Sequence, residues 1–243
     1  MNNNQENISQ IKWCKKKALE NAFAHGIYTW DDPRLTAEIM KINKNKVTQV
    51  NNFINANRNN EVFDVYYKFD GTEMYLDIEN TNEHIFMIGV YFNNKFYQWT
   101  ANELNDTEEL RIINEYNSFI ESNKAERIYI WSKHEITKFK EKEKKYGVSI
   151  NTENFYDFCE FLDINNYAIP GLFSHTLKAV GKLFYQKGYI KSTWENDILD
   201  GKDAMEQSIL LYKTKGSLEP VKNYNYIDVK VMQEIIEYFK TKI

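Results

Sequence analysis

The sequence predicts an α/β fold: a mixed β-sheet flanked by helices, preceded by a helical N-terminal appendage. Three observations predict it. Residues 73–80, 84–92 and 95–100 are consecutive segments of strand length, joined by the short Asn-rich turns "NTNE" and "NNK" that hairpins prefer. Beyond residue 100, helical periodicity alternates with short apolar strands. Before residue 60, the apolar residues recur at helical spacing only.

The elements follow in order. Residues 8–24 carry Ile11, Ala18 and Phe23 partly on one side of a helix that Gly26 ends. "TWDDPRLTAEIMKI" predicts a second helix, with Asp32 as its cap and Pro33 at its first position. "KVTQVNNFINANR" predicts a third, with Val47, Val50, Phe53 and Ile54 at helical spacing. Residues 1–60 thus form a helical N-terminal region, and "NRNNE" reads as a hinge into a main domain over 61–243. There, after the three strands, residues 107–122 form a helix with Leu110, Ile113, Tyr116 or Asn117, and Ile120 on its face. "RIYIW" is a short apolar strand, 134–146 a charged helix, and "NFYDFCEFL" a strand that turns helical. "LFSHTLKAVGKLFYQKG" is a helix closed by Gly188, and helices over 203–215 and 224–242 complete the chain. Three antiparallel strands, helix, strand, helix, short strand and helices is the element order of the ribonuclease-H-like fold.

Bulk properties narrow the function. A length of 243 residues fits one large domain with a small attachment, and 42% apolar residues suffice for its core. No apolar run reaches the length of a membrane span, so none is predicted. The first residues lack the apolar core of a secretory signal, and Cys14 and Cys159 fit neither a metal spacing nor a disulfide framework. An intracellular location is expected. The net charge of −4 argues against a globally basic nucleic-acid binder, but the charge is unevenly spread. Residues 1–60 hold 9 Lys/Arg against 5 Asp/Glu, and residues 61–243 hold 22 against 30.

Chemistry concentrates in three acidic features. Asp77 and Glu79 are two apart on the first strand, hence on one face. Glu135 follows the fourth strand in "YIWSKHEITKF". In "YNYIDV", Tyr224 and Asp228 are four apart, on one face of the last helix. A ribonuclease-H-like sheet brings these segments to one edge. Such a cluster repels itself and calls for hard divalent cations with oxygen ligands, two ions of Mg²⁺ or Mn²⁺. In that arrangement Asp77 bridges both ions, Glu79 and Asp228 complete the first, Glu135 holds the second, and Tyr224 orients the attacking water or helps deprotonate it.

These stretches resemble the DEDD exonuclease superfamily in its tyrosine-containing subclass, with acid-x-acid, a second acid, and Tyr-x-x-x-Asp. More closely, "YLDIEN", "IYIWSKHE", "DGKDAM" and "YNYIDVKVM" resemble the YprB-like ribonuclease-H-like nucleases, also called predicted RecB-like nucleases. The resemblance spans roughly residues 11–240 and implies metal-dependent 3′–5′ exonuclease chemistry on DNA or RNA, in repair, replication or processing. The chain departs from many members in carrying Glu135 after His134, where they have Asp after Asn. The second nuclease module that accompanies this domain in some longer relatives is not expected within these residues. Lys133, Lys138, Lys178 and Lys182 border the expected site and are candidates for phosphate contacts. The run Lys15-Lys16-Lys17 beside Trp13 could grip a strand. The alternative functions are a non-catalytic nucleic-acid-binding module or assembly subunit, and a structure-specific endonuclease.

Overall fold

A computed structural model describes residues 7–194 and 201–242. Its centre is a five-stranded sheet built from β1 (Glu73–Asn80), β2 (Ile85–Phe92), β3 (Lys95–Thr100), β4 (Arg127–Ile130) and β5 (Phe155–Asp157), in the order β3-β2-β1-β4-β5. β1–β2 and β2–β3 pair antiparallel, whereas β1–β4 and β4–β5 pair parallel. The β2–β3 turn places Asn93 and Asn94 both at positive φ, 48° and 59°, which the short Asn side chain tolerates and which matches the twist of the strands.

Parallel strands need crossovers, and helices provide them. α3 (Asp106–Asn123) joins β3 to β4, and α4 (His134–Tyr146) joins β4 to β5. Asn105 caps α3 by accepting from Glu108 N, and Asp106, Glu108 and Glu109 favour its positive end. Asp157 ends β5 and caps α5 (Phe158–Ile164) by accepting from Glu160 N at 2.9 Å. α6 (Leu177–Gln186), α7 (Gly201–Thr214) and α8 (Glu219–Thr241) follow.

The alternation of β1 sorts its side chains between two cores. Met74, Leu76 and Ile78 point into the core shared with Ile112, Ile113, Tyr116 and Phe139 of α3 and α4. Tyr75 points the other way, into a core with Val229, Met232 and Ile236 of α8 and Phe184 of α6. Asp77 and Glu79 share the direction of Tyr75, so they meet α8.

Residues 7–60 join the α8-side core through Ile8, Ile11, Val50, Phe53 and Ile54. Among them are α1 (Lys16–Ala24) and α2 (Val47–Asn59), the latter as the periodicity predicts. Two expectations fail here. The helix over 8–24 is broken: a 3₁₀ turn, Ile8–Gln10, precedes α1, and Trp13 between them adopts φ 76° while its indole donates to Gln49 Oε1 at 2.8 Å. The segment 29–42 forms turns rather than a helix. Asp32 accepts from Arg34 N and from its guanidinium, and Arg58 takes the carbonyls of Trp30, Asp32 and Leu35 that a helix would have used. α6 also begins later than its periodicity predicts, because buried His175 fixes the chain just before Thr176 caps it.

Candidate active site

The site forms where α8 crosses the end of β1. Asp77 lies opposite Gly89 of β2, and the absent side chain there lets α8 approach. A Cβ built on Gly89 would stand 2.1 Å from Asn225 Oδ1. Asn225 is fully buried and donates from Nδ2 to Asp77 Oδ2 at 2.8 Å. Its Oδ1 accepts from Gln98 Nε2 at 2.9 Å, and Gln98 also donates to the carbonyl of Lys222. β3, β2 and α8 together therefore hold the Asp77 carboxylate in one orientation.

One turn of α8 beyond Tyr224, Asp228 faces the same place. Its Oδ1 accepts from the indole Nε1 of Trp194. One carboxylate oxygen from each of Asp77, Glu79 and Asp228 lies within 4.8 Å of the others. Glu135 enters from the first turn of α4, where Ser132 Oγ donates to its Oε2 at 3.3 Å. Asp77, Glu79, Glu135, Tyr224 and Asp228 line a single cavity of about 360 Å³, with Asn80, His134 and Met205 at its walls. A family model of the RNase_H superfamily matches residues 74–240, an interval that encloses all five residues. The chain belongs to the RNase_H superfamily. No curated protein matches it.

For an RNase_H superfamily member the electrostatics of this cavity are informative. Burial, then the neighbouring charges of Glu79, Asp228 and Glu135, push the Asp77 carboxyl well above its usual range, against the hydrogen bond from Asn225. Burial and Asp228 push Glu79 up as well, while Lys178 opposes. Asp228 is raised to about 6 by burial, despite relief from Trp194, Lys178 and Tyr224. Burial raises Glu135 to about 8, with Asp157 and Asp228 adding to it. Three buried carboxyls and the half-buried Asp77, all repelling one another, form a donor set of hard oxygens, and a divalent cation would relieve the repulsion. Mg²⁺ or Mn²⁺ therefore fits these residues. Burial and the same acids push the Tyr224 hydroxyl far up, so at neutral pH it is a hydrogen-bond donor.

A second group, His84, Asp106 and Glu109, also brings ligand atoms within 4.8 Å of one another. Its charge is already matched by the protein. Lys142 lies 2.9 Å from Glu109 Oε1, Lys145 lies 2.6 Å from Asp106 Oδ1, and the Ile85 N–H and the Tyr146 hydroxyl donate to Glu109. This network staples the β1–β2 turn to α3 and α4.

The candidate lysines fall in different settings. Lys178 stands 4.6 Å over the Tyr224 ring, and its charge reaches both Glu79 and Asp228. Lys182 is exposed one turn further along α6. Lys133 pairs with Glu160 at 2.5 Å and Lys138 with Glu141 at 2.9 Å. Sequence reasoning missed Asn225, Gln98, Gly89 and the polar role of Trp194. Gly89 carried a signal, since a glycine inside an apolar strand marks close approach of another element. Asn225 sat inside the "YNYID" motif, whereas nothing in the sequence pointed to Gln98.

Proposed function

We propose that the protein is a metal-dependent nuclease, a 3′–5′ exonuclease that hydrolyses phosphodiester bonds of DNA or RNA with two divalent ions. The observation that carries this reading is the convergence of Asp77, Glu79 and Asp228 with Glu135 and Tyr224 in one cavity. Asp77, Glu79 and Asp228 would hold one ion, and Asp77 with Glu135 the other. Bound Mg²⁺ or Mn²⁺ supplies charge neutralisation at the phosphate and activation of water. Asn225 keeps Asp77 oriented. Tyr224 would orient the attacking water through its hydroxyl or help deprotonate it. Lys178 offers positive charge to the scissile phosphate. The 3′–5′ polarity rests on the resemblance of the three motifs to the tyrosine-containing DEDD enzymes. In this reading, residues 61–243 are the nuclease unit and residues 1–60 its appendage.

The test is direct. End-labelled single- and double-stranded DNA and RNA are incubated with Mg²⁺, Mn²⁺ or chelator. The expected result is metal-dependent release of nucleotides from 3′ ends, abolished in Asp77→Asn and Asp228→Asn and slowed in Tyr224→Phe. Full activity in both aspartate variants would overturn the assignment. Internal cleavage without end release would favour an endonuclease.

A further inference from the structure

We infer that the N-terminal appendage carries a docking surface for the phosphate backbone of the substrate strand, centred on Trp13. The inference takes its partner from the nuclease reading. It rests on charge that the fold neither needs nor neutralises.

Two lysine-rich segments far apart in sequence meet here. Residues 12–17 supply Lys12, Lys15, Lys16 and Lys17, and residues 41–46 supply Lys41, Lys44 and Lys46. Contact of Cys14 Sγ with Met40 Sδ at 3.5 Å, and a hydrogen bond from Asn21 Nδ2 to the Met40 carbonyl, bring the second segment beside α1. The Trp13 indole lies between them, with Lys12 Nζ 5.0 Å and Lys46 Nζ 4.7 Å from its ring. Lys12 also pairs with Asp163. Among the described residues, Lys15, Lys16, Lys17, Lys41, Lys44 and Lys46 form no ion pair. All but Lys46 are exposed.

The placement of three of them opposes the helix. Lys15, Lys16 and Lys17 occupy the cap and first turn of α1, its positive end, where no side chain caps the free amides and no acid stands. Carboxylates are the favoured residues there. A phosphate laid across this end would satisfy both the lysines and the dipole. The rest of the chain is acidic, so the patch is a local reversal of sign. The half-exposed Trp13, held by hydrogen bonding to Gln49, gathers two of these cations over its ring.

The patch also lies within reach of the cavity. Lys12 N donates to the Phe173 carbonyl at 2.8 Å. Five residues further along the chain stands Lys178, over Tyr224. Five residues span at most about 18 Å, so the patch begins within about 20 Å of the site. That is roughly six nucleotides at duplex spacing. A strand passing Lys178 therefore reaches the near edge of the patch, at Lys12, within about six nucleotides.

The experiment uses the full chain carrying Lys16→Gln, Lys17→Gln and Lys44→Gln together, with binding measured by fluorescence anisotropy in chelator. Probes are single-stranded DNA and RNA of roughly 20 and roughly four nucleotides, and a polyglutamate peptide. Three lost phosphate contacts should flatten the slope of log Kd against log salt by about 2 for the long probes. Affinity for them should drop at least tenfold at low salt, while the short probes bind as before. An unchanged slope for the long probes would overturn the inference. So would equal loss on the short ones, or lysine-dependent binding of polyglutamate without binding of nucleic acid. Hydrolysis is read separately. Lysine-dependent binding with no hydrolysis under any metal sinks the nuclease reading and leaves the docking surface. Hydrolysis with unchanged binding does the reverse.

Discussion

Gly89→Ala is the sharpest perturbation of the site, because it adds one methyl group and touches no acid. The new Cβ would lie 2.1 Å from Asn225 Oδ1 and 3.0 Å from Phe96 Cζ. Ordinary contact needs about 3.5 Å, so more than an ångström must be found. Asn225 cannot turn aside cheaply, since its amide serves Gln98 on one side and Asp77 on the other. Either those hydrogen bonds break or α8 retreats, and α8 carries both Tyr224 and Asp228. Overpacking of this kind costs about 1–3 kcal/mol of stability. Loss of support behind a metal ligand costs about 10–100-fold in metal affinity. The expected outcome is a folded protein with a urea midpoint lowered accordingly and Mn²⁺ binding, by calorimetry, weakened by that factor. Wild-type Mn²⁺ affinity in the alanine variant would refute the view that Gly89 sets the seat of α8.

Three further predictions follow from the charges. Asp228 and Glu135 hold protons in the folded chain, up to about 6 and about 8, that the unfolded chain releases near 3.8 and 4.5. Metal-free stability should therefore be full below about pH 4 and fall as pH rises toward 8, by on the order of 3 kcal/mol for Asp228 alone. Urea melts across that range should show the fall, and saturating Mn²⁺ should remove it. Trp194→Phe deletes the indole donor that holds Asp228 down, so Mn²⁺ affinity should drop at pH 6 and recover toward wild type at pH 8 in paired titrations. Asp163 accepts from Lys12, His175 and Gln49; against burial, these partners hold its carboxyl well below the usual range. Asp163→Ala should cost about 3 kcal/mol in urea denaturation. The contribution of Asp163 should be present above its unfolded pKa near 3.8 and vanish as pH falls through its lower folded value.

Legibility of the sequence tracked how local the determining physics was. The three strands, α3 and α4 follow from periodicity and Asn-rich turns, all within a few residues. The acids were legible because period-two spacing on β1 and a four-residue step on α8 fix faces before any tertiary contact is known. The segment 29–42 was misread because Arg58, a distant residue, takes its carbonyls. The break at Trp13 likewise depends on Gln49, far along the chain. Around the acids, the supporting amides of Asn225 and Gln98 were invisible for the same reason: polar side chains become second partners only once β3, β2 and α8 are stacked.

The seating of α8 on Gly89 also bears on when the chain becomes competent. Asp77 and Glu79 belong to a hairpin that closes on local contacts, whereas Asp228 arrives on α8, more than four elements further along the chain. A chain cut short before α8 keeps Asp77, Glu79 and Glu135 but lacks Asp228. When α8 docks, it brings a carboxylate toward Asp77, Glu79 and Glu135, so its final approach is opposed by their charge and would be favoured by a divalent ion among them. Docking of α8 is thus the step that closes the acid cluster, and either protons on the carboxyls or a divalent ion among them would ease it.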